Sequence, residues 1–193
     1  VQWTRAVYSE RQLLEAMVHF WHNHFSLYAY EFVEGPTLRK SLERRGRLPP
    51  GSAVRIARQL LAGLAAAHEK GIVHRDIKPE NTLMQDGETV RIVDFGIARS
   101  ERAGDSLHTR TGMLLGTPTY MAPELLRDVK ARPRSDLYSV GCVLYELIAG
   151  RPPFTGDTPS VVLIAHLEKP VSHPSEHGAQ LPERLWALLS QAL

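Results

Sequence analysis

Three short clusters hold the residue types best suited to chemistry. The chain reads HRDIKPEN over residues 74–81, DFG over 94–96 and APE over 122–124, in that order and with loop-sized gaps. Among them are two carboxylates, Asp76 and Asp94, one amide, Asn81, and one cation two residues beyond the first carboxylate, Lys78. Carboxylate and amide oxygens are hard donors that suit Mg²⁺. A carboxylate also suits the orientation of an alcohol and acceptance of its proton. Phosphoryl transfer asks for little more than this, since alignment of a hydroxyl with a phosphate and neutralisation of charge supply most of the rate. Any one of these clusters alone is weak, because DFG or APE arises by chance and a lone HxD is often a capped turn. The joint occurrence in this order is what carries the reading.

With these three motifs over residues 27–193, the sequence resembles the protein kinase family, and within it the bacterial Hanks-type serine/threonine kinases. The resemblance implies ATP and Mg²⁺ as cofactors and protein Ser/Thr hydroxyls as acceptors. It implies that Asp76 is the catalytic carboxylate, that Lys78 lies beside the transferring phosphoryl group, and that Asn81 and Asp94 bind metal. Glu31 and Val33 resemble the adenine-binding hinge, with Tyr30 at the gatekeeper position and Leu83 beneath the ring. Arg75 would pair with a phosphate on the activation segment, where Thr109 and Thr111 occupy the positions of activating phosphothreonines. Thr117 matches the threonine that contacts the catalytic aspartate and lysine, a mark of Ser/Thr rather than Tyr substrates. His74 and Phe95 would pack beneath the site, and Gly96 would let the backbone turn. Asp136 would anchor the catalytic loop, and Glu124 would seek an arginine that the family carries farther along than Leu193. A small-molecule phosphotransferase of kinase-like fold is the nearest rival, but neither KPEN nor APE is expected of it.

Positioning these residues requires helices on both sides of the loop. A Pro-Gly break at 49–51 precedes Ser52, read as an N-cap, and Ile56, Leu60, Leu61 and Leu64 then recur at helical spacing before Gly71. A second helix is expected from about Ser135 and Asp136 to Gly150, with Leu137, Val140, Leu144, Leu147 and Ile148 on one face. Weaker helices are expected over 160–168 and 182–193. Between 72 and 98 the pieces Ile72-Val73, Thr82–Met84 and Val90–Val93 read as short strands flanking a functional loop. The fold class expected is mainly α (α+β): a kinase C-lobe helical bundle with small β-hairpins around the catalytic loop. The basic run Arg39, Lys40, Arg44, Arg45 and Arg47 reads as a solvated helix face, and lone Cys142 as core packing.

The segment before the hinge departs from the family. Residues 1–34 contain no glycine and the first lysine is Lys40, so neither a phosphate-cradling glycine loop nor a strand lysine precedes the hinge. A complete small lobe needs on the order of 50 residues there, counting strands, a helix and connections. Residues 10–22 read as an amphipathic helix and 26–33 as a strand, but Trp3–Phe25 looks foreign to the family. The chain is therefore divided into a non-kinase helix over 1–26, a possible fusion remnant, and a kinase domain over 27–193 cut at its C-terminus. His19, His22 and His24 lack acidic or cysteine company at ligand spacing and are not read as a metal site. On this reading the fragment alone is inactive. The alternative is a non-catalytic, kinase-like interaction module that regulates a partner kinase.

Composition narrows the class. The 193 residues carry 23 basic and 21 acidic side chains, a net charge of +2, which is too even for a nucleic-acid partner. No apolar run approaches the ~20 residues of a membrane span. One cysteine excludes an internal disulfide, and a cytoplasmic location is expected, with an anchor beyond Leu193 left open.

Overall fold

The computed structural model describes residues 35–95, 118–127 and 130–193, and the expected helix over 10–22 and strand over 26–33 lie outside them. Helix α1, Leu38–Arg45, starts where the Thr37 hydroxyl accepts from Lys40 N, and it stops at Gly46, whose φ of 74° suits glycine. Its buried face is Leu38, Ser41 and Leu42. Helix α2, Pro50–His68, begins two residues before Ser52, because Pro50 needs no donor at the first helical position. Ser52 therefore lies inside the first turn rather than capping it. The α2 stripe Ala53, Ile56, Ala57, Leu60, Leu64 and Ala67 has the helical period and is buried.

That stripe packs on α3, Pro133–Ala149. Pro133 again occupies the first position, Ser135 Oγ accepts from Arg132 N, and Gly150 ends the helix in the left-handed region at φ 79°. Helix α3 is buried nearly all round, with Cys142, Val143, Tyr145 and Leu147 fully enclosed, so it is the central element and not merely one amphipathic wall. Burying each large aliphatic side chain contributes roughly 1.5–3 kcal/mol. Cys142 is core packing as expected, and burial pushes its thiol pKa upward.

Helix α4, Pro159–Glu168, turns Val162, Ala165 and His166 inward, with Val162 and Ala165 clustered with Phe154 and His166 edge-on to the Phe154 ring. Helix α5, Glu183–Ala192, rests Leu189 against Tyr145 and Ala149. A two-stranded antiparallel sheet joins β1, Thr82–Gln85, to β2, Thr89–Ile92, with Thr82 opposite Ile92 and Gln85 opposite Thr89. Asp86 and Gly87 turn it at positive φ. Ile72 and Val73, expected as a strand, are irregular, and among the described residues no strand pairs with them. The described residues are thus mostly helical with one small sheet, as expected, and all lie in one compact unit, 35–193. Among them no helix is long and apolar enough to cross a membrane.

Candidate active site

The irregular segment that follows α2 carries the first motif, and Asp136 at the start of α3 holds it. Its Oδ1 accepts from Arg75 N at 2.8 Å, and its Oδ2 accepts from His74 N at 2.9 Å and pairs with His68 Nε2 at 2.7 Å. The carboxylate is 1% exposed, so these partners replace water. Arg75 adopts a φ of 71°, an unfavourable conformation for a side chain with a Cβ, and the Asp136 bond to its N–H helps maintain it.

His74 pins the next residues. Asp76 N donates to His74 Nδ1 at 3.3 Å, which fixes Nδ1 as an acceptor and leaves Nε2–H to donate to Val93 O at 3.1 Å. Burial lowers the His74 pKa against the opposing charges of Asp136, Asp76 and Asp94, consistent with a neutral ring. Phe95 packs on it with ring centres 4.7 Å apart. The structure thus brings His74 and Phe95 together.

Asp76, Lys78 and Asn81 converge. Asp76 Oδ2 accepts from Lys78 Nζ at 2.8 Å and from Asn81 Nδ2 at 3.1 Å, while Asn81 Nδ2 also reaches Asp76 O at 2.9 Å. Asn81 closes a 3-10 turn, Pro79–Asn81, that runs straight into β1. Val93 N donates to Asn81 O at 3.0 Å, so the sheet places Asp94 one residue beyond a rung that Asn81 itself forms. Asp94 has a φ of 58°, and its charge is felt at His74. With its side-chain N–H engaged by Asp76, Asn81 would offer a metal its side-chain oxygen Oδ1, and Asp94 would add a carboxylate. This donor set fits Mg²⁺ bound through one carboxylate and the phosphates of a nucleotide. Leu83 is buried on β1, its backbone bridged to Thr37. Glu31, Val33, Tyr30, Gly96, Thr109, Thr111 and Thr117 lie outside the described residues.

Glu124 accepts from Ser135 Oγ at 2.7 Å and lies 3.6 Å from Arg134 Nε. A hydroxyl and an arginine at the start of α3 therefore satisfy it within this chain, where a distant arginine was expected.

Arg39 corrects the reading of the basic run as a solvated face. Its Nε meets Glu80 Oε1 at 2.8 Å, its Nη1 meets Glu146 Oε1 at 2.8 Å, and its Nη2 bonds Tyr120 Oη. Tyr120 Oη donates to Glu146 Oε2 at 2.5 Å, and Ser139 Oγ donates to Tyr120 O at 2.7 Å. Burial opposes the Arg39 charge, but the bonds to Glu146 and Glu80 prevail and raise its pKa. Glu146, Tyr120 and Arg39 were missed in the sequence. One signal was available: Glu146 is a lone acid in the apolar run VLYELIA, and an acid buried there requires a partner.

The family described as protein kinase domain matches residues 8–193. Serine/threonine-protein kinase PknL of Mycobacterium tuberculosis is 48% identical over 145 residues, 75% of this chain and 36% of that protein. Serine/threonine-protein kinase PknB is 38% identical in Mycolicibacterium smegmatis and 39% in Mycobacterium leprae, each over 84% of this chain and 26% of the relative. The chain thus spans about a third or less of the relatives it matches. With a family match across nearly its whole length and a clustered Asp76, Lys78 and Asn81, the chain belongs to the bacterial serine/threonine protein kinase family.

Proposed function

We propose that this chain carries the catalytic lobe of an ATP-dependent protein serine/threonine kinase. The observation that supports it most is the shared hydrogen bonding of Lys78 and Asn81 to one oxygen of Asp76, on a loop fixed from below by Asp136. In this reading Asp76 accepts the hydrogen bond, and then the proton, of a substrate Ser or Thr hydroxyl. The hydroxyl oxygen forms the new bond to the γ-phosphorus of ATP while the bond to the bridging oxygen of the β-phosphate breaks, releasing ADP. Lys78 balances charge on the transferring group and holds Asp76 in place between turnovers. Asn81 and Asp94 would hold Mg²⁺, which when bound neutralises charge on the phosphates. Arg75 would receive a phosphate carried by Thr109 or Thr111, and Thr117 would face Asp76 and Lys78. Glu31, Val33 and Leu83 would frame the adenine.

The 193-residue chain acting alone is proposed to be inactive. It has no glycine before Gly35 and no lysine before Lys40, so the small-lobe devices for positioning phosphates must come from elsewhere. Charge stabilisation and positioning each contribute several kcal/mol to such barriers.

The test incubates the purified chain with labelled ATP, Mg²⁺ and a generic basic protein, beside an Asp76→Ala control. No transfer above the control is expected from the chain alone, and transfer would overturn the proposed inactivity. Mg²⁺-dependent nucleotide binding, weakened by Asp94→Asn, is expected even so. Its absence would remove the support for a catalytic lobe and favour the interaction module.

A further inference from the structure

A cavity of about 410 Å³ lies between α1, the start of α2 and the β1–β2 hairpin, and none of its lining residues belongs to the catalytic cluster. Its apolar lining includes Leu38, Leu48, Ile56 and Met84, all buried. The arginines lining it, Arg44, Arg45 and Arg55, are exposed residues, accompanied by the hydroxyl-bearing Ser41 and Ser52. Glu88 is the one acid in the lining, and among the described residues no ion pair joins it to any of the three arginines.

A structural duty accounts for part of this charge. Arg44 and Arg45 stand in the last turn of α1, where cations suit the helix dipole. Arg55 has no such excuse, since it follows the first turn of α2, a turn that holds no acidic residue. Its described hydrogen bond is to Ser52 Oγ at 3.0 Å. Two helices thus bring positive charge to one concavity over an apolar floor. The volume lies within the roughly 300–1,000 Å³ of small-molecule sites.

We propose that this cavity binds a small soluble organic anion, a phosphate or carboxylate on an apolar body, with the anion held by Arg45 and Arg55 and the body on Leu48 and Ile56. Both halves of the ligand are needed. A bare anion leaves the floor wet, and a neutral apolar molecule leaves the guanidinium groups without their partner. A concavity of this size takes one molecule and not the surface of a bilayer. The site stands apart from phosphotransfer and does not depend on the chain being active.

Titration calorimetry of the 193-residue chain with octyl phosphate tests it. Saturable one-site binding is expected, weakening at high salt, with inorganic phosphate and octanol each binding at least about tenfold more weakly. The double variant R45E/R55E, checked by circular dichroism, is expected to lose about tenfold or more in affinity. Non-saturable binding, equal affinity in a folded double variant, or equal binding of inorganic phosphate or octanol would overturn the site. A second measurement on the unaltered chain keeps the test decisive if the variant does not fold. Octyl phosphate is expected to protect Arg45 and Arg55 from phenylglyoxal while Arg151 and Arg184 react freely, and equal modification with and without it would defeat the proposal.

Discussion

Arg39 on α1 and Glu146 on α3 are 107 positions apart in the chain and meet at 2.8 Å, Nη1 to Oε1. Glu146 is 4% exposed, and Arg39 sets an opposite charge against its buried carboxylate. Through Glu80 and Tyr120 the same guanidinium also ties the 74–81 segment to the 118–120 turn. Helix α1, the loop that carries Asp76 and the central helix share one ionic knot.

Removing the cation should expose the cost of the buried acid. Arg39→Met, which keeps the aliphatic bulk, is expected to destabilise the chain by about 2–4 kcal/mol, read from the urea midpoint. Adding Glu146→Gln should recover part of the loss, because the two changes act on one contact. A single variant within about 0.5 kcal/mol of the parent would contradict this.

Asp136 satisfies two backbone donors and His68 at once. Asp136→Ala leaves all three without their acceptor and is expected to cost about 3 kcal/mol or more. Asp136→Asn, which retains one acceptor oxygen, should fall between parent and Ala in denaturant titration. An Asn variant less stable than Ala would argue that the loop is held by something else.

His166 links stability to acid. Burial lowers its pKa from 6.5 to about 4, with backbone oxygens of Thr119 and Pro118 opposing. The unfolded chain therefore binds this proton more readily than the folded one. Its contribution is complete above about pH 6.5, shrinks as pH falls, and is gone near pH 4. His166→Gln should flatten the stability profile across that window, and an unchanged slope there would exclude His166 as its source. His74, also lowered by burial, acts in the same direction, so the flattening is expected to be partial.

Gly35 has no room for a side chain. A Cβ there would lie 2.3 Å from Met84 O, next to the bond from Met84 N to Pro36 O. Gly35→Ala is expected to cost about 1–3 kcal/mol and to raise amide exchange at Met84. Unaltered exchange would show that the approach relaxes freely.

The grouping of Asp76, Lys78 and Asn81 was legible because its members are local. Asp76, Lys78 and Asn81 fall within six consecutive residues, and Asp94 follows from one hairpin rung. The helices were legible from periodicity, though not their starts: proline at the first position of α2 and α3 moved each boundary ahead of the polar residue that resembles a cap. Ile72 and Val73 have strand-forming side chains but, among the described residues, no strand beside them, a tertiary matter invisible to propensity. Arg39 was misread for the same reason. Helical spacing places it on a polar stripe, and only the fold brings Glu80, Tyr120 and Glu146 to meet it.

The rung between Val93 N and Asn81 O has one more consequence. It sits at the base of the hairpin, whereas Asp86 and Gly87 form the tip at the far end. The backbone spacing of Asn81 and Asp94 is thus set at the base of the hairpin, away from its tip. Extra residues spliced in at the tip would lengthen a surface excursion while leaving the spacing of Asn81 and Asp94 intact, which makes that bend a natural place to attach a reporter.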